Sequence, residues 1–420
     1  MLGVEFIQAN PREVRQALAR RGIPAGVDLV DRVLEQDRVR REALTHLQSK
    51  QQEANAESRN IGILMREGKR EAAKALIARQ SRLKTEIKEL AEAAANAERT
   101  LSELLLTIPN LPHESVPNGL SEADNVTVYQ HGEIPSFEFD PLPHWEIARR
   151  HGLIDFERGA KVAGAGFPFY MDAGAKLHRA LINFFLDAAT RKYREVRPPL
   201  LVNEASARGT GQLPDKEGQM YHVAMDGLYP VPTAEVPLTN YFRDEILSES
   251  DLPVKLCAYT PCWRREAGSY GAHVRGLNRL HQFDKVEIVQ LTHPEQSYDV
   301  LENMRGDAET LLKALNLPYR RLLMCAGELG FNQTKQYDLE VWSAGQGRWL
   351  EVSSISNFTD YQARRMNIRF RPKRGGKPQL VHTLNGSALA LPRVVAALLE
   401  HNQTENCSYE LPEVLIPYLS

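Results

Sequence analysis

The chain has 420 residues, a formal net charge of −2, 42% apolar residues and four cysteines. This composition is typical of a soluble protein of two or three domains, argues against a disulfide framework, and excludes binding of nucleic acid through overall charge, so any RNA-binding surface must be local. No segment has the ~18 consecutive apolar residues of a membrane helix, and the first residues lack the regions of a secretory signal, so we expect a cytoplasmic protein without membrane contact.

The first 27 residues predict a short amphipathic helix. Asn10 and Pro11 are the residue types that usually cap a helix and occupy its first turn. We therefore expect this helix to begin at the Asn10-Pro11 pair.

Residues 28–105 contain no proline and carry two heptad repeats, the second more apolar than the first. The first repeat places at its core Val33, Asp37, Arg40, Leu44, Leu47, Gln51, Ala54, Ser58, Ile61 and Met65. The second places there Leu76, Gln80, Leu83, Ile87, Leu90, Ala94, Ala97, Leu101 and Leu104. With a break at Gly68, the pattern predicts two helices of ~50 Å each, folded back as a coiled-coil arm that projects from a body.

Basic residues are concentrated in the outer half of this predicted arm. They are Arg59, Arg66, Lys69, Arg70, Lys74, Arg79, Arg82, Lys84 and Lys88. Interspersed glutamates allow a solvated coiled-coil face with ion pairs between adjacent turns. A face that contacts phosphates is the alternative, and charge alone leaves both open.

A proline-rich connector at residues 108–119 marks the boundary that we predict between two domains, 1–107 and 108–420. Beyond it, hairpin-spaced strand patterns alternate with helical ones such as 176–191 and 294–315, which predicts an α+β fold with an antiparallel sheet. Neither GxGxxG nor GxxxxGK[ST] occurs, so an ATP site would have to use arginines and metal. Cys257 and Cys262 are expected to be packing residues, because zinc pairs usually have tighter spacing.

The segment 260–289 predicts two strands around a loop rich in Gly and Arg. The first predicted strand carries Arg264 and Glu266, so alternation puts them on one face, and the same holds for Phe283 and Glu287 on the second. Antiparallel pairing would line one surface with a cation, two carboxylates and an aromatic ring. Such a surface can bind a phosphate, stack on a base and bind an ammonium group.

Two further segments carry polar side chains at alternating positions. Thr233 and Glu235, in an extended segment, would share a face and bind an ammonium group; the alternative is that Thr233 caps a helix. Glu351 and Ser353 would share a face beside Ser354, and a carboxylate with a hydroxyl suits Mg²⁺, which keeps most of its waters. A surface strand with outward polar residues is the alternative there.

The last segment, 382–393, predicts a strand that breaks at Asn385-Gly386 and enters a helix. Asn385 or Ser387 would then be a helix cap. Arg393 would lie early in the helix, facing the strand end, where a guanidinium can stack on a purine.

Taken in order over nearly the full length, these segments resemble the bacterial-type seryl-tRNA synthetase family, which are class II aminoacyl-tRNA synthetases. The resemblance lies in FIQANPREVRQAL, the long helical arm, TAE, WRREAGSYG with RGLNRLHQFDKVE, DLEVW, EVSSISNFTDYQARR and HTLNGSALALPR. It implies an N-terminal antiparallel coiled-coil arm and a C-terminal class II catalytic domain, an antiparallel sheet flanked by helices. Residues 1–107 would bind tRNA and 108–420 would catalyse aminoacylation.

The resemblance also implies the reaction. Serine and ATP would form seryl-adenylate and pyrophosphate, and the seryl group would pass to the 3′ end of serine tRNA, and of selenocysteine tRNA where present. A homodimer is implied, with Pro199 of segment 193–202 at the dimer-forming strand. No separate editing domain is expected.

Roles for individual residues follow from the same resemblance. Arg264 would bind the α-phosphate, Arg279 the distal phosphates and Glu266 the adenine side of ATP; the two arginines would be the catalytic residues. Phe283 and Arg393 would enclose the adenine between them. The ATP site would further include Arg265, Val352 and Ser353. Glu351 and Ser354 would hold Mg²⁺. The serine site would consist of Thr233, Ala234, Glu235, Glu287, Asn385 and Ser387.

Three other classes of protein remain as alternatives. The first, a synthetase homologue that charges a carrier protein, would lack the arm. The second is a class II synthetase for proline or threonine. The third, a non-enzymatic coiled-coil protein, leaves the ordered motifs unexplained.

Trp263 and Arg265, in the segment WRREAGSYG, depart slightly from the residues that the family usually has at these positions.

Overall fold

Contacts divide the chain into two units, residues 1–109 and residues 110–420. The computed structural model describes residues 1–23, 26–216, 218–267 and 274–419. Part of the Gly- and Arg-rich loop of segment 260–289 therefore lies outside the described residues. None of the helices in the described ranges is long and apolar enough to cross a membrane.

The described part of unit 1 is helical. Its helices are α1 (Val4–Ala9), α2 (Pro11–Arg20), α3 (Gly26–Arg66) and α4 (Arg70–Leu105). Helices α3 and α4 pack against one another around a turn in which Gly68 has a φ of +77°, a conformation that glycine adopts without strain. The Gln36 side chain donates to the Ala97 carbonyl at 3.3 Å, so the helices are antiparallel. Two long helices that reverse at Gly68 are confirmed.

The predicted heptad register holds for α4 but not for all of α3. Along α4, Leu83, Ala94, Ala97 and Leu101 are buried as expected. Along α3, three predicted core positions are exposed, namely Gln51, Ser58 and Met65. The residues one position earlier are covered instead, namely Lys50, Glu57 and Leu64. After Leu47 the next covered position comes three residues later, at Lys50, instead of four residues later, at Gln51. The predicted register was wrong at the exposed positions because the polar residues among them, Gln51 and Ser58, do not define the buried side of the helix.

The start of α2 is confirmed, but the expected cap is not formed. Asn10 lies between the end of α1 at Ala9 and the start of α2 at Pro11, so Pro11 is in the first turn of α2. The Asn10 side chain donates to the Phe6 carbonyl in α1 at 3.1 Å, so its amide group closes the first helix instead of capping the second.

Unit 2 combines helices with a large sheet. Its helices are α5 (His144–Arg150), α6 (Phe156–Ala163), α7 (Asp172–Thr190), α8 (Glu204–Thr210), α9 (Glu235–Asn240), α10 (Ser297–Ala314), α11 (Tyr361–Met366) and α12 (Leu391–His401). Its strands are β1 (Val126–His131), β2 (Ile154–Asp155), β3 (Phe169–Tyr170), β4 (Arg194–Glu195), β5 (Leu201–Asn203), β6 (Leu228–Pro230), β7 (Ile246–Ser248), β8 (Val254–Trp263), β9 (Gln282–Thr292), β10 (Tyr319–Leu323), β11 (Lys335–Ser343), β12 (Arg348–Thr359), β13 (Arg369–Arg371), β14 (Gln379–Leu380) and β15 (His382–Ala390). The helices predicted at 176–191 and 294–315 correspond to α7 and α10.

The main sheet has the strand order β1-β10-β11-β12-β15-β9-β8-β4. Neighbouring strands are antiparallel except that β4 pairs parallel with β8 at the edge. Alternation along β9 sends Val286 and Ile288 into a core shared with α7, α10 and α12. Lys285 and Glu287 face the other side. The α+β class with an antiparallel sheet is confirmed, and one face of the sheet remains to form a site.

Two local predictions about strands were wrong. Strand β8 ends at Trp263, so Arg264 and Glu266 follow the strand instead of lying on it. Strand β15 does not break at Asn385-Gly386 but continues to Ala390. The Asn-Gly pair stays extended because β15 is central in the sheet and both residues pair with strands on either side.

The cysteine prediction is confirmed for the pair on β8. Cys257 and Cys262 are buried and free. Burial raises the pKa of both thiols. Neither is part of a cluster of three or more metal-binding side chains in the described ranges.

Candidate active site

A cavity of about 640 Å³ lies on the face of the sheet that α7 and α10 do not cover. Most of the predicted site residues line it. They are Thr233, Glu235, Arg264, Glu266, Arg279, Phe283, Glu287, Glu351, Val352, Ser353, Ser354, Asn385, Ser387 and Arg393. Two predicted residues do not: Ala234 is fully buried in an apolar cluster, and Arg265 is exposed to solvent.

Two buried carboxylates, Glu235 and Glu287, line this cavity. The Asn385 amide bridges them, donating to Glu235 Oε2 at 2.8 Å and to Glu287 Oε1 at 3.1 Å. The Ser387 hydroxyl donates to Glu287 Oε2 at 3.4 Å. Asn385 and Ser387 are therefore not helix caps, because they sit within β15 and contact the two acids.

Thr233 combines the two alternatives that its sequence left open. Glu235 is the first residue of α9, so the pair is not in an extended segment. Thr233 Oγ1 accepts the Glu235 backbone N–H at 3.2 Å, in the manner of a cap. Both Thr233 and Glu235 line the cavity, so Thr233 is also part of the candidate site.

The charge balance of the two carboxylates is uneven. Lys285 Nζ lies 2.5 Å from Glu287 Oε2 and neutralises that acid. For Glu235, burial and then the negative charge of Glu287 raise the pKa to about 7, despite a hydrogen bond from Gln362. The pocket thus has room for one more positive charge, which an ammonium group would supply.

Sequence reasoning missed Lys285 and Gln362. Lys285 was recognisable, since it is two residues before Glu287 on one strand and must share its face. Gln362 Nε2 donates to Glu235 Oε1 at 2.6 Å, and Gln362 Oε1 accepts from Thr383 at 2.7 Å. No local pattern reveals a contact between residues 127 positions apart.

The arginine-rich end of the cavity is more open. Arg264 is half-buried, with Nε donating to the Pro232 carbonyl at 3.4 Å and its guanidinium 5.3 Å from the centre of the Phe283 ring. The more exposed Arg279 pairs with Glu266 at 2.9 Å. Glu266 has a φ of +48°, which few non-glycine residues adopt. This end presents two guanidinium groups beside an aromatic face.

Strand β12 places a third set of polar groups on the cavity. Its register with β11 shifts so that Val352 is an additional residue, and strict alternation from Glu351 to Ser353 fails. The Ser353 hydroxyl donates to the Ser387 carbonyl at 2.6 Å instead of facing the same way as Glu351. The prediction that Glu351 and Ser353 alternate onto one face was wrong because of this bulge.

Asp338 on β11, opposite Ser354, was not assigned any role from the sequence. It is buried, and burial followed by the negative charge of Glu351 raises its pKa well above the usual range. Two carboxylates and a hydroxyl are hard oxygen donors of the kind that Mg²⁺ prefers. Within the described ranges no three His, Cys, Asp or Glu side chains form a metal cluster.

Arg393 lies in the first turn of α12, as predicted. Its Nε donates to the Asn278 carbonyl at 3.0 Å and its Nη1 to the Glu351 carbonyl at 2.7 Å. Pro199, by contrast, lies between β4 and β5 and is exposed, so in this chain it is not on a strand.

Comparison with known families and proteins agrees with this geometry. Residues 1–112 match the seryl-tRNA synthetase N-terminal domain, and residues 221–402 match the tRNA synthetase class II core domain (G, H, P, S and T). The serine–tRNA ligase of Salinibacter ruber is 58% identical, with 100% of this chain and 98% of that protein covered.

Two solved structures are similar over the whole chain. The seryl-tRNA synthetase of Pyrococcus horikoshii, complexed with ATP, has a TM-score of 0.93 and 35% identity, with 100% of this chain and 98% of that chain covered. The cytoplasmic serine–tRNA ligase of Naegleria fowleri, in complex with AMP, has a TM-score of 0.87 and 27% identity, with 100% and 97% covered. The chain belongs to the seryl-tRNA synthetase family of class II aminoacyl-tRNA synthetases.

Proposed function

We propose that this protein is a serine–tRNA ligase, which activates L-serine with ATP and transfers it to the 3′ end of serine tRNA. The observation that carries the proposal is the buried pair Glu235 and Glu287, bridged by Asn385 beside two cavity arginines. An acidic pocket for an ammonium group next to cations for phosphates suits an amino acid and a nucleotide. The names of the full-length relatives support the same activity.

The first step joins serine to AMP. A serine carboxylate oxygen attacks the α-phosphorus of ATP in line, the bond to the β-phosphate oxygen breaks, and pyrophosphate leaves. The nucleophile is already an anion and needs no general base, so catalysis rests on positioning and on neutralising phosphate charge. Arg264 would neutralise the α-phosphate and Arg279 the distal phosphates, after exchanging its contact with Glu266 for one with ATP. Phe283 and Arg393 would enclose the adenine.

In the second step a ribose hydroxyl oxygen of the tRNA attacks the seryl carbonyl carbon and loses its proton, the bond from that carbon to the phosphate oxygen breaks, and AMP leaves. Glu235 and Glu287 would hold the ammonium group of serine, with Thr233, Asn385 and Ser387 around it. A site that hydrogen-bonds the serine hydroxyl rejects alanine by ~10⁴–10⁵-fold, because its own polar groups would be left unpaired. The extra methyl group of threonine would be excluded by its size.

The residues of β12 fit a magnesium ion that accompanies ATP. Glu351 and Ser354 would hold Mg²⁺, with Asp338 next to them, and the ion would neutralise phosphate charge when bound. Burial and then the negative charge of Glu351 raise the pKa of Asp338, and a cation bound here would offset the repulsion between the two carboxylates. The side chains of Ala234 and Arg265 do not line the cavity, and the roles predicted for these two residues stay predictions.

ATP–pyrophosphate exchange with all twenty amino acids tests this function. Serine alone should support exchange, and purified serine tRNA should then be charged. Exchange with proline or threonine in place of serine would indicate a different class II synthetase. Exchange with serine but no charging of any tRNA would favour an enzyme that loads another carrier. Charging of selenocysteine tRNA stays a prediction.

Residues 1–107 would bind the tRNA and residues 108–420 would catalyse the reaction. In the outer half of the helical pair, six of the nine basic residues have no carboxylate within 4 Å among the described residues, whereas Lys69, Lys74 and Arg79 are paired, and this favours a phosphate-contacting face. The six are Arg59, Arg66, Arg70, Arg82, Lys84 and Lys88. RNA helices are recognised mainly by shape and backbone, which suits such a face.

Deleting residues 35–97 tests the role of the helical pair, because these ends face one another near the Gln36–Ala97 contact. Serine-dependent exchange should persist and tRNA charging should be lost. A companion variant with Arg70, Arg82, Lys84 and Lys88 changed to Gln keeps the helices and removes charge. It should weaken tRNA binding and reduce the salt dependence. Loss of exchange in the deletion would show that the helices support folding instead.

We also propose a cytoplasmic homodimer. Leu200 and Leu201, which follow Pro199 where the chain enters β5, are 39% and 45% exposed, and adjacent exposed apolar side chains suit a subunit contact. Light scattering after size exclusion should give twice the mass of one chain, and a monomer that exchanges normally would contradict this.

A further inference from the structure

Glu400, the penultimate residue of α12, is fully buried and does not line the cavity. Its carboxylate accepts five hydrogen bonds. Oε1 accepts from the His144 backbone N–H at 2.8 Å, from His144 Nδ1 at 2.7 Å and from Gln346 Nε2 at 3.2 Å. Oε2 accepts from the Ser343 hydroxyl and from the Gly345 backbone N–H at 3.0 Å.

The hydrogen bonds of His144 fix its protonation. Its Nε2 accepts the backbone N–H of Leu277 at 2.8 Å, so this nitrogen carries no proton. Nδ1 must then hold the proton and donate it to Glu400. Burial alone would raise the pKa of Glu400, but hydrogen bonds from His144 and Ser343 outweigh burial and the pKa is lowered. A neutral imidazole therefore sits between a buried carboxylate and a backbone amide.

The backbone that His144 contacts continues directly into the arginine-rich end of the cavity. Gly276 packs so closely on the imidazole that a Cβ atom there would lie 2.3 Å from Nε2, and its φ is +68°. Leu277 follows, then Asn278, whose carbonyl accepts from Arg393 Nε at 3.0 Å. The next residue is Arg279.

A second connection runs from Glu400 through Gln346 to the same backbone. Gln346 Nε2 donates to Glu400, and Gln346 Oε1 accepts from Asn278 Nδ2 at 2.8 Å. Asn278 is itself buried, so it has little freedom to find other partners. Gln346 Nε2 also donates to Ser343 Oγ at 2.8 Å, and Ser343 donates in turn to Glu400, so the Glu400 carboxylate contacts, directly or through Ser343, both side chains that bond to residues 277 and 278.

We infer that Glu400, acting through His144 and Gln346, is a positioning residue for ATP, because it fixes the backbone that orients Arg279 and Arg393. This inference rests on the proposed ATP-dependent function. Neither Glu400 nor His144 touches a reacting atom, and neither contacts the residues around Glu235. We therefore expect a substitution of Glu400 to change the KM for ATP without a matching change in the KM for serine.

Glu400→Gln tests this by removing the charge while keeping the size of the side chain. The amide keeps one acceptor oxygen, but its NH₂ group replaces the other oxygen, which accepted two or three of the five bonds, and the negative charge that strengthens the contacts with His144 and Gln346 is lost. Losing charged hydrogen bonds of this kind should raise the KM for ATP in pyrophosphate exchange by about 10- to 100-fold, with the KM for serine nearly unchanged. The matched control is Glu309→Gln, another buried carboxylate, paired with Arg305 and Arg321 and absent from the cavity lining.

Gln346→Leu provides an independent arm if Glu400→Gln does not fold. Gln346 is only partly buried, and its loss cuts the second connection while leaving His144 in place. The KM for ATP should rise less than in Glu400→Gln, again with serine spared. Equal increases for both substrates, or an effect no larger than that of Glu309→Gln, would overturn the inference. Absence of serine-dependent exchange in the unaltered protein would instead contradict the proposed function.

Discussion

The two ends of the cavity are built in different ways. The acidic end around Glu235 and Glu287 is buried, lies on central strands and on the first turn of a helix, and has its side chains joined by hydrogen bonds. The arginine end lies just beyond the end of β8 and before the start of β9, and Arg279 is 44% exposed. One end is preorganised for a small cation, whereas the other holds its cations in loop segments.

This difference teaches where the two kinds of selectivity arise. A buried pocket discriminates by leaving groups unpaired when the wrong ligand enters, which suits the choice among amino acids. Exposed guanidinium groups attract any polyphosphate and gain strength only when water is excluded. In the proposed mechanism the arginine end would therefore supply rate, and the acidic end would supply the choice of amino acid.

The largest effect is expected from Arg264→Ala at the arginine end. Removing a donor that neutralises developing charge typically lowers kcat by about 10²–10³-fold, and serine-dependent pyrophosphate exchange should fall accordingly. Arg374, exposed and outside the cavity lining, offers the control Arg374→Ala, which should exchange normally. Near-normal exchange in Arg264→Ala would remove this residue from the proposed mechanism.

Regular and irregular parts of the molecule also differ in how well the sequence predicted them. Periodicity alone predicted the helical pair, the antiparallel sheet and the faces shared by Phe283 and Glu287, because these depend on repeats of 3.5 and 2 residues. It failed where local geometry departs from the repeat, at the Val352 bulge, at the step after Leu47 in α3 and at the end of β8. Gln362 and Asp338 were missed because their importance comes from partners that only the folded sheet brings near.

A smaller effect is expected for the magnesium requirement. Glu351→Gln removes one negative charge but keeps an oxygen ligand, so the Mg²⁺ concentration for half-maximal exchange should rise by about tenfold. Exchange at saturating Mg²⁺ should recover most of its rate. The exposed Glu410 is a control position, and Glu410→Gln should leave the Mg²⁺ requirement as it is. An unchanged requirement in Glu351→Gln would place the ion elsewhere.

The pH dependence should separate the two ends. An ammonium group needs Glu235 ionised, and with a pKa of about 7 this carboxyl gains its proton as the pH falls below 7. The KM for serine should therefore rise by about fivefold from pH 7 to pH 6, measured with saturating ATP and excess Mg²⁺.

Lowering the pH should weaken serine binding but have the opposite effect on the stability of the ligand-free fold. Because the pKa is raised in the folded state, this carboxyl stabilises the ligand-free fold below its unfolded pKa, and the contribution is lost as the pH rises through about 7.

The KM for ATP should change little over the same pH range, since guanidinium groups do not titrate there. An equal pH dependence for both substrates would contradict a titration confined to the acidic end.

The smallest effect is expected from Ser387→Ala. Its hydroxyl reaches Glu287 over a long 3.4 Å hydrogen bond, while Asn385 and Lys285 hold the same carboxylate more closely. Loss of this bond should raise the KM for serine by about two- to threefold and leave ATP unaffected. An increase of a hundredfold would mean that Ser387 contacts the substrate itself, because no contact it makes with Glu287 is strong enough. The acidic end would then owe its choice of serine to a hydroxyl on β15 as well as to its two carboxylates.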